Sequence, residues 1–231
     1  MKKTILILLV FITVFIDKSF AQDNGFVKYE ITDFKLDNPD DPQMKMAEQM
    51  LKGTITKLYF EKERALTKII TMNGMNITKI ITDKDGNNEM YMDMMGQKIM
   101  VKLPKDKIEQ LKKEKNTKEP EYVHHKDKTK DILGYKAHFV EVKSSDDQNT
   151  SMSMWITEKI KTNGVVSQGM DNSKIGGFPL EYTITIPGQF SMTTTATEFK
   201  NDFDKSVFGF DKAGYNEMSM EELMNMGGGG F

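Results

Sequence analysis

Residues 180–186 read LEYTITI, so an apolar side chain alternates with Glu or Thr along the whole stretch. A period of two puts the apolar side chains on one face of a β-strand and the polar ones on the other. The pair Pro187-Gly188 that follows is typical of a turn, and the threonine-rich residues 193–197 favour another strand. This part of the chain therefore predicts an antiparallel hairpin with one buried face.

The same alternation recurs throughout the chain. It is found at Val27, Tyr29 and Ile31, at Leu58 and Phe60, at Leu66, Ile70 and Met72, at Met90, Met92 and Met94, and at Ile99 and Val101. Turn residues such as Asp85-Gly86 and Gly134 separate these stretches at spacings that suit an antiparallel meander better than β-α-β crossovers. We therefore predict a mainly β fold of the α+β class, built on one long antiparallel sheet.

Helical periodicity is confined to three short places. They are Met44, Ala47 and Leu51 after Pro42, Ile108 and Leu111 after Pro104, and Leu223 and Met224 after the capping-box pattern of Ser219 and Glu222. Proline at a helix start, and serine followed three residues later by glutamate, are signals of a helix N-terminus. We expect the first of these helices to act as a lid over the sheet.

The N-terminus has the order of a cleavable secretory signal peptide. Met1-Lys2-Lys3 carries positive charge, residues 5–16 are apolar, and Ser19-Phe20-Ala21 has the small residues of a cleavage site. The apolar run is shorter than the roughly 20 residues that a membrane-spanning helix needs. We expect cleavage after Ala21, and therefore a mature protein that is periplasmic or secreted.

Three parts of the chain are predicted from these patterns. Residues 1–21 are the signal peptide, residues 22–212 form a single half-barrel-like β domain, and residues 213–231 form a short helix with a flexible glycine-rich tail. A length of this order lies within the range of one folded domain.

The composition excludes several classes of protein. The chain contains no cysteine, so it cannot be a lipoprotein, form disulfides or use thiol chemistry. Its 32 basic and 34 acidic residues are interspersed, and no basic stripe indicates nucleic acid. Lysines outnumber acids in residues 105–118 and 126–130, where a solvated face is the simpler interpretation and contact with an anionic membrane is the alternative.

The sequence contains no recognisable catalytic motif. His124 and His125 are neighbours on a predicted strand, so their side chains point to opposite faces and do not easily share a metal; His138 is the third histidine. Neither a serine-nucleophile elbow nor a phosphate-binding or dinucleotide-binding glycine pattern is present. We therefore predict a protein that is not an enzyme and uses neither a cofactor nor a metal.

Methionine is the unusual residue, with 19 copies in the chain. Pairs two residues apart recur, as at Met92 and Met94 or Met152 and Met154. Three interpretations remain open. Methionine fills an ordinary core, or its soft, unbranched side chain lines an adaptable apolar cavity, or thioethers on one strand face bind monovalent copper.

Several segments together resemble a family of exported bacterial proteins that carry domain of unknown function 4412. They are residues 91–98 (YMDMMGQK), 132–137 (ILGYKA), 155–158 (WITE), 177–181 (GFPLE) and Met192-Thr193. Relatives often have a cysteine where this chain has Ala137, so a thiol-dependent role does not carry over. The family is similar to the lipoprotein-carrier fold of LolA- and LppX-like proteins. That similarity implies an antiparallel sheet curved into an open half-barrel, with short helices over its concave face and no shared catalytic residues.

We therefore predict an exported, non-enzymatic protein that holds a hydrophobic ligand in a half-barrel cavity. The predicted cavity wall comprises Met90, Met92, Met94, Met152, Met154, Leu180 and Tyr182, and the predicted lid comprises Met44, Ala47 and Leu51. Expected partners are a hydrophobic small molecule, a lipid or a lipoprotein acyl chain, with possible transient contact with envelope membranes or lipoproteins, and no nucleic acid. The alternatives are a methionine-rich periplasmic protein for monovalent copper, and a filled-core scaffold that binds other proteins through its surface or sheet edge.

Overall fold

The structure is a computed structural model that describes residues 24–114, 120–143, 150–161 and 175–226. The predicted signal peptide and its cleavage site after Ala21 lie outside the described residues, as does the glycine-rich tail at 227–231. Among the helices in the described ranges, none is long and apolar enough to cross a membrane.

In the described residues, twelve strands join into one sheet. They are β1 (Gly25–Leu36), β2 (Ile55–Phe60), β3 (Arg64–Thr71), β4 (Asn76–Asp83), β5 (Asn88–Met94), β6 (Gln97–Leu103), β7 (Glu121–Ile132), β8 (Tyr135–Lys143), β9 (Ser151–Thr157), β10 (Phe178–Ile186), β11 (Phe190–Lys200) and β12 (Asn216–Glu217). The same ranges contain the helices α1 (Pro42–Leu51), α2 (Lys105–Glu114) and α3 (Met220–Met226), with short 3₁₀ helices at Met72–Gly74 and Lys205–Gly209. The predicted mainly β fold is confirmed.

The sheet consists of two antiparallel meanders. Strands β1 to β6 pair consecutively, β7 to β11 pair consecutively, and β1 joins the two sets by pairing with β11. The two-residue β12 is parallel to its neighbour β6. β12 and β7 lie at opposite edges, so the described sheet is open rather than closed into a barrel.

The sheet is strongly curved, and contacts between distant strands identify its concave face. β2 and β10 are three positions apart in the sheet, which is about 14 Å in a flat sheet with ordinary strand spacing. The ring centroids of Phe60 on β2 and Phe178 on β10 are nevertheless 5.9 Å apart. In addition, Tyr29 Oη on β1 donates a 2.8 Å hydrogen bond to the Pro179 carbonyl on β10. The face that carries these side chains is therefore concave, as in a half-barrel.

The concave face holds the main hydrophobic core. Val27, Tyr29, Leu58, Phe60 and Leu180 are each at most 1% exposed, and they occupy the alternating positions that the sequence pattern indicates. Because a fully buried apolar side chain contributes about 1.5–3 kcal/mol, this core stabilises the curved centre of the sheet.

The helices α1 and α2 begin where the prolines predict. The Asp41 carboxylate caps α1 by accepting hydrogen bonds from the backbone amides of Gln43 at 2.8 Å and Met44 at 3.4 Å. Gly53 follows α1 with a φ of +79°, a conformation that glycine adopts without strain and that ends a helix.

The chain after β11 forms a strap, residues 202–223, that first crosses the convex face. The ring and cation-to-ring contacts are Tyr59–Phe203 at 5.4 Å, Arg64–Phe208 at 4.0 Å and Tyr91–Phe210 at 5.1 Å. Since the sheet partners belong to β2, β3 and β5, the strap connects several strands on the side away from the main core.

The strap then turns around the β6 edge and reaches the concave face. The Met218 amide donates a 2.9 Å hydrogen bond to the Met100 carbonyl of β6, and Met220 at the start of α3 packs on the concave side of β5 and β6. The predicted capping box is confirmed. The Ser219 hydroxyl accepts from the Glu222 amide at 3.1 Å, and the Glu222 carboxylate accepts from the Ser219 amide at 2.8 Å. Residue 212, the predicted boundary, lies within this strap, and Asn216–Glu217 pair with β6 as β12.

Candidate functional site on the concave face

The two faces of the sheet differ in charge. In β1 to β6 and β9 to β11, every Asp, Glu, Lys and Arg takes a convex register position, and the concave positions of these described strands carry none. On β4, for example, Lys79 and Asp83 are convex whereas Thr78 and Ile80 are concave. Because burying an unpaired charge costs far more than burying a hydroxyl, the concave face is suited to an apolar cover.

All seven predicted wall residues take concave positions, but they lie in two separate groups. Met90, Met92 and Met94 form the first group on β5, and Met152, Met154, Leu180 and Tyr182 form the second on β9 and β10. Strands β4, β3, β2, β1 and β11 lie between the two groups, so these residues alone do not form one continuous wall.

The second group is mostly enclosed by protein. Leu180 and Met154 are 0% and 1% exposed, and Ile175 from the segment before β10 packs in the same cluster as Met154. Met152 and Tyr182 are half-buried at the border of that cluster. A ligand could therefore contact the last two side chains without displacing the core.

The first group meets the strap. Met90, Met92 and Met94 from β5 pack with Met218 and Met220 from the strap, and we refer to these five residues as the methionine cluster. Met92 is 7% exposed and the other members are half-buried. The sequence shows Met218 and Met220 as a pair, but nothing local places them opposite β5.

Half-buried apolar side chains also take concave positions on β1, β3, β4, β10 and β11, and we call this set the concave trough. Its members are Ile31, Ile69, Ile80, Ile184 and Met192. None of these five residues was among the predicted wall residues. On β3 the sequence analysis selected Leu66 and Ile70, which are convex, because that strand carries apolar residues on both faces and alternation alone does not show which face is concave.

The predicted lid helix α1 lies at one end of this trough. β1 pairs with β2 only as far as Glu30, and α1 packs beside the remainder of β1. The cleft between them has a volume of about 210 Å³ and is lined by Ile31, Thr32, Asp33, Phe34, Glu48, Lys52 and Gly53. Ligand sites usually measure about 300–1,000 Å³, so this cleft is smaller than a typical ligand site.

The predicted lid residues lie on the less exposed side of α1. Met44, Ala47 and Leu51 are half-buried, whereas Met46 and Met50 on the opposite side of α1 are 64% and 43% exposed. No residue of α1 is buried. Since few buried apolar contacts hold this helix, it belongs to the part of the fold that opens most easily.

The convex face carries a hydrogen-bonded group of three polar side chains on β5 and the strap. Tyr91 Oη donates a 2.6 Å hydrogen bond to Glu89 Oε2, and Lys212 Nζ of the strap lies 2.9 Å from the same oxygen. These bonds hold the pKa of Glu89 below its usual value, and burial raises the pKa of Tyr91. The three groups fasten the strap to β5 on the side away from the trough.

The structure brings together two histidines that the sequence leaves apart. His124 Nδ1 on β7 and His138 Nε2 on β8 are 3.1 Å apart, whereas His125 points to the other face and lies 3.5 Å from the Glu141 carboxylate. Burial, and then the charge of His124, lower the pKa of His138. Across the described residues there is no group of three or more His, Cys, Asp or Glu side chains that could hold a metal ion.

Comparison with known proteins gives structural similarities only. No family model matches the sequence, and no curated protein matches it, so membership in the exported family of unknown function is not confirmed. The fold is similar to a protein of the DUF1329 family from Desulfovibrio piger, at 8% identity and a TM-score of 0.40 over 87% of this chain and 94% of the other.

Two further solved structures are similar with lower TM-scores. A LolA superfamily protein from Nitrosomonas europaea is 10% identical, with a TM-score of 0.31 over 82% of this chain and 91% of the other. The lipoprotein LppX from Mycobacterium tuberculosis is also 10% identical, with a TM-score of 0.28 over 79% and 89%. Similarity at this distance does not assign a function.

Proposed function

We propose that this protein is an exported, non-enzymatic binding protein whose concave trough holds a hydrophobic ligand, such as a lipid or a lipoprotein acyl chain. The supporting observation is the concave face itself, which carries no charged side chain in nine described strands yet leaves Ile69, Ile80 and Ile184 half-buried. Half-exposed apolar side chains on an uncharged surface gain free energy when an apolar molecule covers them.

The expected affinity follows from the length of the acyl chain. Each buried methylene contributes about 0.8 kcal/mol, so a ten-carbon chain gains roughly 8 kcal/mol before the cost of association, which is itself about 4–15 kcal/mol. Short chains should therefore bind weakly. Each added methylene should tighten binding by about fourfold until the trough is full.

Native mass spectrometry of the protein purified from its own cell envelope tests this proposal directly. A lipid or acylated species released in stoichiometric amount would support it and identify the ligand class. Binding of a series of lysophospholipids should then strengthen with chain length. An empty protein that shows no dependence on chain length would favour the filled-core scaffold instead.

Matched substitutions on β4 locate the site. Ile80→Gln places a polar side chain in the trough, whereas Ile81→Gln makes the same change on the convex face of the same strand, where Ile81 is also half-buried. We expect Ile80→Gln to weaken lysophospholipid binding about fivefold or more, since a buried polar group without a partner costs about 1–3 kcal/mol. Ile81→Gln should leave binding unchanged, and equal losses would contradict a concave site.

The methionine cluster favours a second candidate function, the binding of monovalent copper. Five thioethers from two distant segments lie in one cluster of nine apolar residues, whereas the main core around Val27 and Phe60 contains no methionine among its described members. Thioethers are soft, neutral ligands that suit Cu(I), whereas Ca²⁺ takes oxygen ligands. The strap residues extend the pair Met92 and Met94 that the sequence indicates.

Silver(I), a redox-stable analogue of Cu(I), tests the second candidate by calorimetric titration. The double variant Met218→Leu/Met220→Leu keeps the packing volume but should lose at least about tenfold in affinity. Met152→Leu/Met154→Leu, with the same spacing on β9, is the control and should bind as the wild type does. No silver binding, or equal losses in both variants, would reject the site.

A further inference from the structure

Four lysines form a continuous row across the convex face. Lys28 on β1 pairs directly with Lys57 on β2, Lys57 with Lys68 on β3, and Lys68 with Lys79 on β4. Directly paired residues on antiparallel strands have Cβ atoms about 4.5–5.5 Å apart. We call these four residues the lysine row, and it is visible only when the register of four strands is known.

The lysine row places like charges side by side, with Glu198 as an acidic neighbour of Lys28 and Lys57 and with Asp93 as an acidic neighbour of Lys79. Like charges placed directly opposite one another on neighbouring strands are destabilising. Lys28 is paired with Glu30 on its own strand, but Lys57 and Lys68 make no ion pair in the part of the chain that the structure describes. Burial, with the charge of Lys68 contributing next, lowers the pKa of Lys79. An anionic partner would relieve this repulsion.

An apolar row lies beside the lysines, two residues further along each strand. Ile55 on β2 pairs with Ile70 on β3, and Ile70 pairs with Ile77 on β4. All three side chains are half-buried on the convex face. With a rise of about 3.3 Å per residue, this isoleucine row runs about 7 Å from the lysine row, toward the end of the sheet where β3 turns into β4.

Exposed methionines complete the same end of the molecule. Met75 in the β3–β4 turn is 52% exposed and Met95 in the β5–β6 turn is 78% exposed. The Met95 amide donates a 3.2 Å hydrogen bond to the Met75 carbonyl, so the two turns lie side by side. The exposed Met46 and Met50 belong to α1, which packs against the 3₁₀ helix of the same turn. These four residues are the methionine rim.

We propose that this end of the protein docks on an anionic phospholipid membrane, with the methionine rim inserted among the acyl chains and with Lys57 and Lys68 of the lysine row on the headgroup phosphates. The other two amines of the row are already engaged, Lys28 with Glu30 and Lys79 with the Phe210 ring at 3.8 Å. Along β3 and β4, the side chains become more polar from the rim toward the centre of the sheet, as a bilayer does from its acyl chains to its headgroups. The order from rim to centre is Met75, Ile77 and Lys79 on β4, and Met72, Ile70 and Lys68 on β3. Lysines next to apolar side chains extend their amines toward phosphates in this way.

The positive charge of the lysines favours an anionic membrane as the partner over an apolar groove on another protein. A polybasic surface gains about fivefold in affinity per lysine near an anionic leaflet, and that gain is lost as salt screens the charges. Flexible, exposed methionines adapt to a fluid partner. The surface lies next to α1, so docking would bring the mouth of the trough to the membrane that supplies or receives a lipid.

Cosedimentation with vesicles tests the docking surface. The full mature protein should bind vesicles of phosphatidylcholine mixed with phosphatidylglycerol, and it should bind pure phosphatidylcholine at least about tenfold more weakly. Lys57→Gln/Lys68→Gln should lower binding to the anionic vesicles about tenfold or more. Met75→Ser/Met95→Ser should weaken it as well, because serine removes the inserted apolar surface.

The control removes the same charge from another lysine-rich place. Lys105→Gln/Lys107→Gln changes α2, where both lysines are exposed, and it should leave vesicle binding nearly unchanged. Equal losses in the two lysine variants, or an absence of vesicle binding, would overturn the proposal. Competition by soluble polyphosphate, combined with no effect of Met75→Ser/Met95→Ser, would also overturn it, because the protein would then bind phosphate without inserting into the membrane. Vesicle binding does not depend on a ligand in the trough, so a protein that docks but releases no lipid would reject the proposed ligand alone.

Discussion

Gly177 lies where the chain entering β10 passes close to β9. A Cβ at this position would lie 2.9 Å from Ile156 Cδ1 and 3.0 Å from the Thr157 carbonyl oxygen. The second contact is with backbone, which cannot move without disturbing the strand pairing. The sequence indicates a turn here, and the structure shows that the absence of a side chain is needed for packing.

Gly177→Ala should therefore lower the free energy of unfolding by about 1–3 kcal/mol. Gly209→Ala is the control, because no described atom lies within 4 Å of the added Cβ and its φ is not left-handed; it should change stability by less than about 0.5 kcal/mol. Urea denaturation measures both. Equal midpoints for the two variants would show that β10 adjusts to the extra atom.

The pair His124 and His138 makes stability depend on pH. Burial, and then the charge of His124, lower the pKa of His138, so in the window below the unfolded pKa of about 6.5 the unfolded chain binds more protons than the folded chain. This contribution to stability is complete above that pH and is lost as the pH falls through and below it.

We expect the urea midpoint of the wild type to fall between about pH 7.5 and about pH 5.5, and to fall less in His138→Asn. The lowered pKa values of Glu89 and Asp83 act in the same direction but at more acidic pH, below this window. Equal decreases in the two proteins would mean that the histidine pair does not couple to folding.

At the scale of elements, the strap is the part that local sequence predicts least. Its strand partners are more than a hundred residues earlier in the chain, as in the Lys212–Glu89 and Tyr91–Phe210 contacts. Strands and helices follow from local periodicity and caps, which is why β10 and the α3 capping box were predicted. The path of an irregular segment such as the strap depends instead on the distant side chains that it covers.

Phe210→Ala tests how strongly the strap is held. The Phe210 ring packs edge-on against Tyr91 at 5.1 Å and lies 3.8 Å from Lys79 Nζ, so its loss should cost roughly 2 kcal/mol, less than for a fully buried ring. Lys205→Ala removes a strap contact to Glu61 at 3.4 Å, where the lysine is 65% exposed, and it should cost well under about 1 kcal/mol. Urea denaturation compares the two, and similar costs would contradict aromatic anchoring.

At the scale of the whole molecule, the strap covers apolar surface on both faces of the β5–β6 edge. On the convex side it packs on Tyr91, and on the concave side it packs on Met92 and Ile99. Few residues of the strap are themselves buried, so its role is to cover the sheet rather than to form a core of its own.

A chain that stops after residue 201 should therefore be less stable and self-associate, because it exposes apolar surface and an unpaired β6 edge. Light scattering after size-exclusion chromatography measures the association. A chain that stops after residue 226 removes the glycine-rich tail alone and should behave as the chain with the tail does. A monomeric product of the shorter truncation would show that the edge is protected without the strap.

The amino-acid sequence by itself determined the fold class, the alternation of apolar and charged side chains, the helix starts and the absence of thiol chemistry. These features are local, since a strand of period two or a proline at a helix start needs no distant partner. Within each of β5, β9 and β10, it also placed the proposed wall residues of that strand on a common face.

The tertiary structure alone decided which face is concave, and therefore which of two apolar sets on β3 faces the trough. It also decided that Met218 and Met220 meet β5 and that Lys28, Lys57, Lys68 and Lys79 form one row. The physical reason is common to these cases. Curvature and register arise from the packing of strands that are distant in sequence, as in the contact between Phe60 and Phe178, and no periodicity within a single strand encodes its neighbour.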